Sequence, residues 1–261
     1  MFRGTMAAGA AFAALAVFML AMFTASVAPA LARGGGSINV AAAASLTFPL
    51  REVAAAYERE TSAKVVISFA STGILASQIE YGAPFDLFLA ADTAHVERLE
   101  GKGLVEPGSA SVFVHGRIVV VVNKASGVRA GGLAGLTDPR IRRIAIANPA
   151  HAPYGRAAME ALQKAGLWDS LRARLVYGEN VRQTLLFVQT GNAEAGIVAL
   201  SVAGVPEVVY TPVPEALHNP IEQAAAVIKG AANAAGAKAF LDYLRGPSAM
   251  AVFEKYGFVA P

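Results

Sequence analysis

Ile38-Asn39-Val40-Ala41-Ala42-Ala43-Ala44-Ser45-Leu46-Thr47 is the stretch whose reading decides the fold. Its β-prone start runs into small residues and then into Ser45, just before the apolar-periodic segment Phe48 to Tyr57. That order predicts a parallel strand, a tight exit, and a helix whose first N–H groups have no intrahelical partner. Such a helix start suits an anion or a polar ligand, and the alanines leave room for backbone to approach it. Three more places share the device. They are Ser71-Thr72-Gly73 before Leu75 to Tyr81, Pro153-Tyr154-Gly155 before the helix of Met159, and Asn180-Val181 before Leu185 to Val188.

The elements between these points alternate. Phe48 to Arg59 is expected as an amphipathic helix with Leu50, Val53, Ala54 and Tyr57 inward. Lys64 to Phe69 and Asp86 to Ala90 read as strands, and Asp92 as the N-cap of a helix over Thr93 to Glu100. Val112 to Asn123 reads as two β-prone pieces broken at Gly116-Arg117, and the loop composition of Lys124 to Gly135 suggests a first crossing between domains. A second α/β set follows, with strands at Arg143 to Ala147, Leu175 to Tyr177, Ala195 to Ala199 and Val208 to Tyr210. Gln223 to Ile228 is one more strand. Ala231 to Leu244 is a long helix with Ala235, Ala239, Phe240 and Tyr243 inward, and Ser248 to Lys255 is a last helix. Strands alternating with helices predict mostly parallel sheets flanked by helices.

Composition narrows the classes. The 261 residues are 55% hydrophobic and 16% charged, enough for one large or two medium cores. No cysteine is present, which excludes disulfides, thiolate metal sites, a cysteine nucleophile and a lipid-modified cysteine. Residues 1–32 carry one charge, Arg3, then an apolar run from Met6 to Phe23 and the small-residue choices Ala28-Pro29-Ala30 and Ala30-Leu31-Ala32. This reads as a cleaved secretory signal peptide, against an uncleaved anchor. Its removal lowers the formal net charge from +3 to +2, and the densest basic cluster is Arg140, Arg142, Arg143, so nucleic acid is not an expected partner.

If the halves of the chain face each other, the four helix starts converge on one object, with the Ser45 and Ser71 hydroxyls as added donors. Each terminus offers roughly 0.3–1 kcal/mol of charge–dipole attraction, and each hydrogen bond to a charged partner about 1.5–3 kcal/mol. A small dianion can be held that way without a cation. The bland alternative is that each Ser or Asn is a cap. Arg156 and Arg182, at helix starts, oppose the dipole; they either face solvent, pair with acids, or raise the cleft potential. Asp86 and Asp92 read as a strand edge and a cap rather than a metal pair. His95, His115, His151 and His218 lack metal spacing, although His151 is close enough to the third helix start to line a cleft. Trp168 reads as packed. No Gly-x-Ser-x-Gly elbow, P-loop or nicotinamide fingerprint occurs, so no enzyme is expected.

Ala42 to Thr47, Ser68 to Gly73, Gly82 to Asp92, Asn180-Val181-Arg182, Gly196-Ile197-Val198 and Phe240 to Pro247 with Tyr256-Gly257-Phe258 together resemble the periplasmic molybdate-binding proteins of bacterial ABC importers. The likeness runs in order from about residue 37 to 260. It implies a two-lobed α/β fold of the type II periplasmic-binding-protein class, each lobe a mostly parallel sheet flanked by helices. Lobe 1 is expected over 37–120 plus 220–261, and lobe 2 over 121–219. It also implies a periplasmic monomer with no cofactor that binds molybdate or tungstate and delivers it to a membrane permease. Carried over by position, Ser45 and Ser71 each supply a hydroxyl and an N–H, and Tyr154 and Val181 supply backbone N–H groups. Molybdenum or tungsten is then held as its oxyanion, with no direct metal ligand. One departure stands out: where some members place a tyrosine hydroxyl on the anion, this chain has Ala199, and the Tyr154 hydroxyl is a possible substitute.

Three rival expectations follow from the residues. The scaffold could be tuned to another small oxyanion such as sulfate. Ser45 or Ser71 could be a nucleophile, which needs a base within about 3 Å. The exported chain could also be a protein–protein module without a small ligand.

Overall fold

Strand β1 (Ser37–Ala43) is buried along almost its whole length because both of its faces are covered. The computed structural model describes residues 36–129 and 131–261, and the expected signal peptide over 1–32 lies outside them. Among the described residues no helix is long and apolar enough to cross a membrane.

The chain continues through α1 (Thr47–Thr61), β2 (Lys64–Ala70), α2 (Thr72–Glu80), β3 (Leu87–Ala90), α3 (Thr93–Gly101) and β4 (Ser111–Gly116). Next come β5 (Ile118–Asn123), β6 (Ile144–Ala147), α4 (Pro153–Lys164), α5 (Trp168–Leu171), β7 (Leu175–Gly178), α6 (Val181–Gln189), β8 (Ala195–Ala199) and β9 (Val208–Pro212). The chain closes with β10 (Ile221–Val227), α7 (Ala234–Leu244) and α8 (Pro247–Lys255).

Two five-stranded sheets result, in the orders β2-β1-β3-β10-β4 and β7-β6-β8-β5-β9. They have the same plan. Three strands pair in parallel, and one strand, β10 in the first sheet and β5 in the second, runs against its neighbours. Each reversed strand is the one by which the chain enters that sheet from the other. The two α/β lobes are therefore joined by two extended crossings, β4 to β5 and β9 to β10.

The first crossing is at Arg117, between Gly116 and Ile118, and not in the loop-like Lys124 to Gly135. Strand β5, which is buried throughout, belongs whole to the second sheet instead of being divided at residue 120. Loop composition misleads here because extended backbone can pass from one sheet to the next without a loop.

The C-terminal helices return to the first sheet. Phe240 of α7 packs on Tyr57 of α1, with ring centroids 4.9 Å apart, and Phe253 of α8 packs on Phe113 of β4 at 5.6 Å. Each such ring contributes roughly 1.5–3 kcal/mol by leaving water. In α7 the buried face is Ala237, Phe240, Leu241 and Leu244, while the expected Ala235 and Ala239 are exposed. The helix starts at Asn233, which caps Gly236 N–H, and the alanine-rich sequence before it carries no phase information.

Candidate anion site between the lobes

Helix starts need partners for their first N–H groups, and side-chain oxygens normally provide them. Asp92 does so for α3, accepting from His95 N–H at 3.1 Å, and Asn180 does so for α6, accepting from Arg182 and Gln183 N–H at 2.9 and 3.1 Å. The two serines do not. Ser71 holds the N-cap position of α2 without a capping bond, and its Oγ lies 2.9 Å from Nδ1 of His151. Ser45 sits in a single 3₁₀ turn before α1, whose N-cap also lacks a side-chain bond. Its Oγ is 3.4 Å from both amide atoms of Gln223.

The other two starts leave backbone donors free. Helix α4 begins with Ala152, which has no oxygen to cap with, and Pro153, which has no N–H, so Tyr154 carries its first donor. In α6 the Asn180 side chain satisfies the second and third N–H groups, and that of Val181, the first, has no intrahelical acceptor.

Ser45, Ser71, Tyr154 and Val181 line one cavity, two from each lobe. Its remaining wall is made of Thr72, Pro153, Asn180 and five alanines, and no lysine or arginine lines it. The cavity is small, about 10 Å³, roughly the room of one water-sized guest. A larger groove of about 550 Å³ runs along α2 past Tyr81 and shares His151, but it is open and lacks convergent donors. Size alone would pick that groove; the donor chemistry picks the small cavity.

The lobes are closed over the cavity. His151 O accepts from Gly73 N–H at 2.9 Å, and a Cβ on Gly73 would come within 2.9 Å of His151, so only glycine permits this approach. Ser201 Oγ donates to Ser45 O at 2.7 Å, and Gln223 Nε2 to the Tyr154 hydroxyl at 2.8 Å. Arg156 pairs with Asp92 across the same seam. The Arg182 guanidinium lies 4.5 Å from the ring centroid of Phe48, so neither arginine points out alone into solvent.

Charge states follow from these surroundings. Burial pushes the Tyr154 phenol well above its ordinary value, only partly opposed by the polar groups of Ser45 and Gln223 beside it, so it stays neutral. Burial also pushes the Asp92 carboxyl up, but the hydrogen bond and charge of His95, with Arg156, outweigh it and the net shift is downward. For Arg182, burial and then Arg51 lower the guanidinium from its ordinary value.

The sequence offered no signal for Gln223, which is fully buried, or for Ser201. It also undervalued Asp86. That buried carboxylate is no mere strand edge; it accepts from Asn39 N–H at 2.7 Å and Asn233 N–H at 2.9 Å, tying β1 to the start of α7. Ala199 is fully buried and faces Ile118 in the β5–β8 pair. Folding does bring a histidine to Ser71, but no carboxylate hydrogen-bonds the other ring nitrogen of His151 among the described residues, so the pair lacks the third, orienting member of a nucleophile system. No group of three or more metal-ligating side chains occurs among the described residues.

Comparison with known proteins places this geometry in context. Residues 38–259 match the model of a family described as bacterial extracellular solute-binding protein. The chain is 38% identical to the molybdate-binding protein ModA of Azotobacter vinelandii over 241 residues, 88% of this chain and 92% of that protein. It is also 38% identical to the molybdate-binding protein ModA of Escherichia coli over 231 residues, covering 85% and 89%. Among solved structures, a periplasmic molybdate-binding protein of Azotobacter vinelandii superimposes with a TM-score of 0.80 at 32% identity, covering 86% of this chain and 99% of that one.

Proposed function

The chain belongs to the bacterial extracellular solute-binding protein family, as a type II periplasmic binding protein closely related to the ModA molybdate-binding proteins, and on that premise we propose that it captures molybdate or tungstate for an ABC importer. The observation that carries the reading is the small interlobe cavity, where two serine hydroxyls unused as caps meet two helix-start N–H groups and no cation.

In this reading the first lobe presents Ser45 and Ser71 to an incoming anion. Hinge motion about the two crossings then brings up the N–H groups of Tyr154 and Val181. Closure excludes water, and each donor–anion bond strengthens as the local dielectric falls. Neutral donors suit a dianion that must later be released, because no buried counter-charge is left unpaired. Sulfate, also a tetrahedral dianion, would be rejected by size, since donors spaced for the larger ion cannot all reach the smaller one. The segment over residues 1–32 would direct export to the periplasm, where the monomer hands its anion to the membrane permease.

Calorimetric titration of the purified protein with molybdate, tungstate and sulfate tests this. One-to-one binding of the first two with sulfate silent is the expected result. Equal or tighter sulfate binding would replace the ligand assignment with a sulfate-type receptor.

A further inference from the structure

Gln223 is a neutral amide with no exposure to solvent, and it stands next to the cavity without lining it. Strand β10 has a register irregularity between Gln223 and Ala224, where it pairs with β4. The extra residue is Phe113 of β4, so the bulge bends that neighbouring strand. Gly116, on the neighbouring strand, leaves the space it needs: a Cβ there would lie 3.3 Å from Gln223 Nε2 and would collide with the Tyr154 hydroxyl. The amide therefore sits in a built pocket with two partners, the Tyr154 hydroxyl at 2.8 Å and Ser45 Oγ at 3.4 Å.

We propose that Gln223 is a positioning residue of the anion site, the middle of a hydrogen-bond chain that joins the Tyr154 hydroxyl of one lobe to the Ser45 hydroxyl of the other. This inference rests on the oxyanion reading given above. The Gln223 N–H donates to the Tyr154 oxygen and occupies its acceptor side. The amide oxygen and the amide N–H of Gln223 both lie 3.4 Å from Ser45 Oγ, the oxygen accepting the serine proton. An anion in the cavity is a stronger acceptor than the amide oxygen and takes the serine proton, while the Gln223 N–H keeps hold of the serine oxygen. Each link polarises the next, so the terminal donor is stronger than an isolated serine. Ser201 Oγ, donating to Ser45 O at 2.7 Å, holds the backbone from which that hydroxyl projects.

The chain also reports closure. Gln223 and Ser45 belong to the first lobe and Tyr154 to the second, so the Gln223–Tyr154 link joins only when the lobes meet. Tyr154 then acts on Ser45 by way of Gln223.

Gln223→Met and Tyr154→Phe roughly preserve volume and remove the hydrogen-bonding atoms, so they separate the hydrogen bonds from packing. Each is titrated with molybdate, tungstate and sulfate beside the unaltered protein, and anion-free melting temperatures are recorded for all. Each variant is expected to bind the preferred anion about tenfold more weakly, and the double variant no more than about twofold worse than either single change. A purely structural role would lower the melting temperature and leave the affinity of the folded protein intact, or would give losses that multiply in the double variant; either outcome overturns the proposal. Should Gln223→Met fail to fold, an unchanged affinity in Tyr154→Phe overturns it alone. If the unaltered protein binds none of the three anions, the oxyanion reading falls and this inference with it, whereas normal binding with unaffected variants removes only the role of Gln223.

Discussion

Oγ of Ser71 and Nδ1 of His151 lie 2.9 Å apart although they are 80 residues apart in the chain and belong to opposite lobes. The serine hydroxyl that would otherwise cap α2 is thus engaged across the cleft. His151→Ala removes this contact while leaving the Gly73 N–H to residue 151 carbonyl bond in place. The expected effect is an anion dissociation rate faster by about threefold to tenfold with little change in association. Stopped-flow displacement of bound molybdate measures it.

Ser45 and Ser71 are the side-chain donors of the cavity, so their removal should cost more. Ser45→Ala and Ser71→Ala are each expected to weaken anion binding by about 10- to 150-fold, the range for hydrogen bonds to a charged partner. Neither hydroxyl caps a helix, so melting temperatures without anion should hardly move. Titration calorimetry beside thermal unfolding checks both statements, and unchanged affinity in the double variant would place the site elsewhere.

Gly116→Ala puts a methyl group where the Tyr154 hydroxyl lies. Overpacking of this kind costs about 1–3 kcal/mol, and the melting temperature should fall by roughly 2–12 °C. Affinity should fall too, because the phenol cannot keep its place beside Gln223 and Ser45. A variant with full stability and affinity would show that this crossing tolerates more space than the geometry allows.

Asp86 offers the opposite pattern. Its carboxylate satisfies two backbone N–H groups far from the cavity. Asp86→Ala is expected to lower stability by about 2–4 kcal/mol and to leave the affinity of the folded protein unchanged. Chemical denaturation and titration of the same sample separate the two.

Asp92 links stability to pH. Its folded value lies below the ordinary carboxyl value of 3.8, because His95 and Arg156 outweigh burial. The stabilisation is therefore fully present above the ordinary value and is lost as pH falls through the lower folded one. Asparagine also caps helices well, so Asp92→Asn isolates the charge. The melting-temperature gap between the two proteins should be full near about pH 6 and should shrink on acidification below about pH 4.

How much could be read from the residues depended on the reach of the forces involved. Leu50, Val53, Ala54 and Tyr57 face inward in α1 as their spacing requires, and Asp92 and Asn180 cap the helices they precede. Both are decisions of the nearest turn. Arg156 and Arg182 looked like surface cations at helix starts, and only their partners in the other lobe, Asp92 and the Phe48 ring, explain them. The crossing at Arg117 is hidden in the sequence because β4 runs into β5 across a single residue with no loop, and hydropathy does not change where the sheet does.

The sequence by itself determined the repeated strand-to-helix device, the four starts with small residues at their exits, the absence of any cysteine chemistry, and Ala199 in place of a donor. Local propensity and burial periodicity act over a few residues, and those features lie within that range. Only the tertiary structure decided that the Ser45 and Ser71 hydroxyls are not caps, that His151 meets Ser71, and that Gln223 stands behind Tyr154. The hydrogen bonds concerned join residues 69 to 178 positions apart. A hydroxyl chooses between a nearby N–H and a distant partner by the geometry offered to it, and that geometry exists only once both lobes have folded and met.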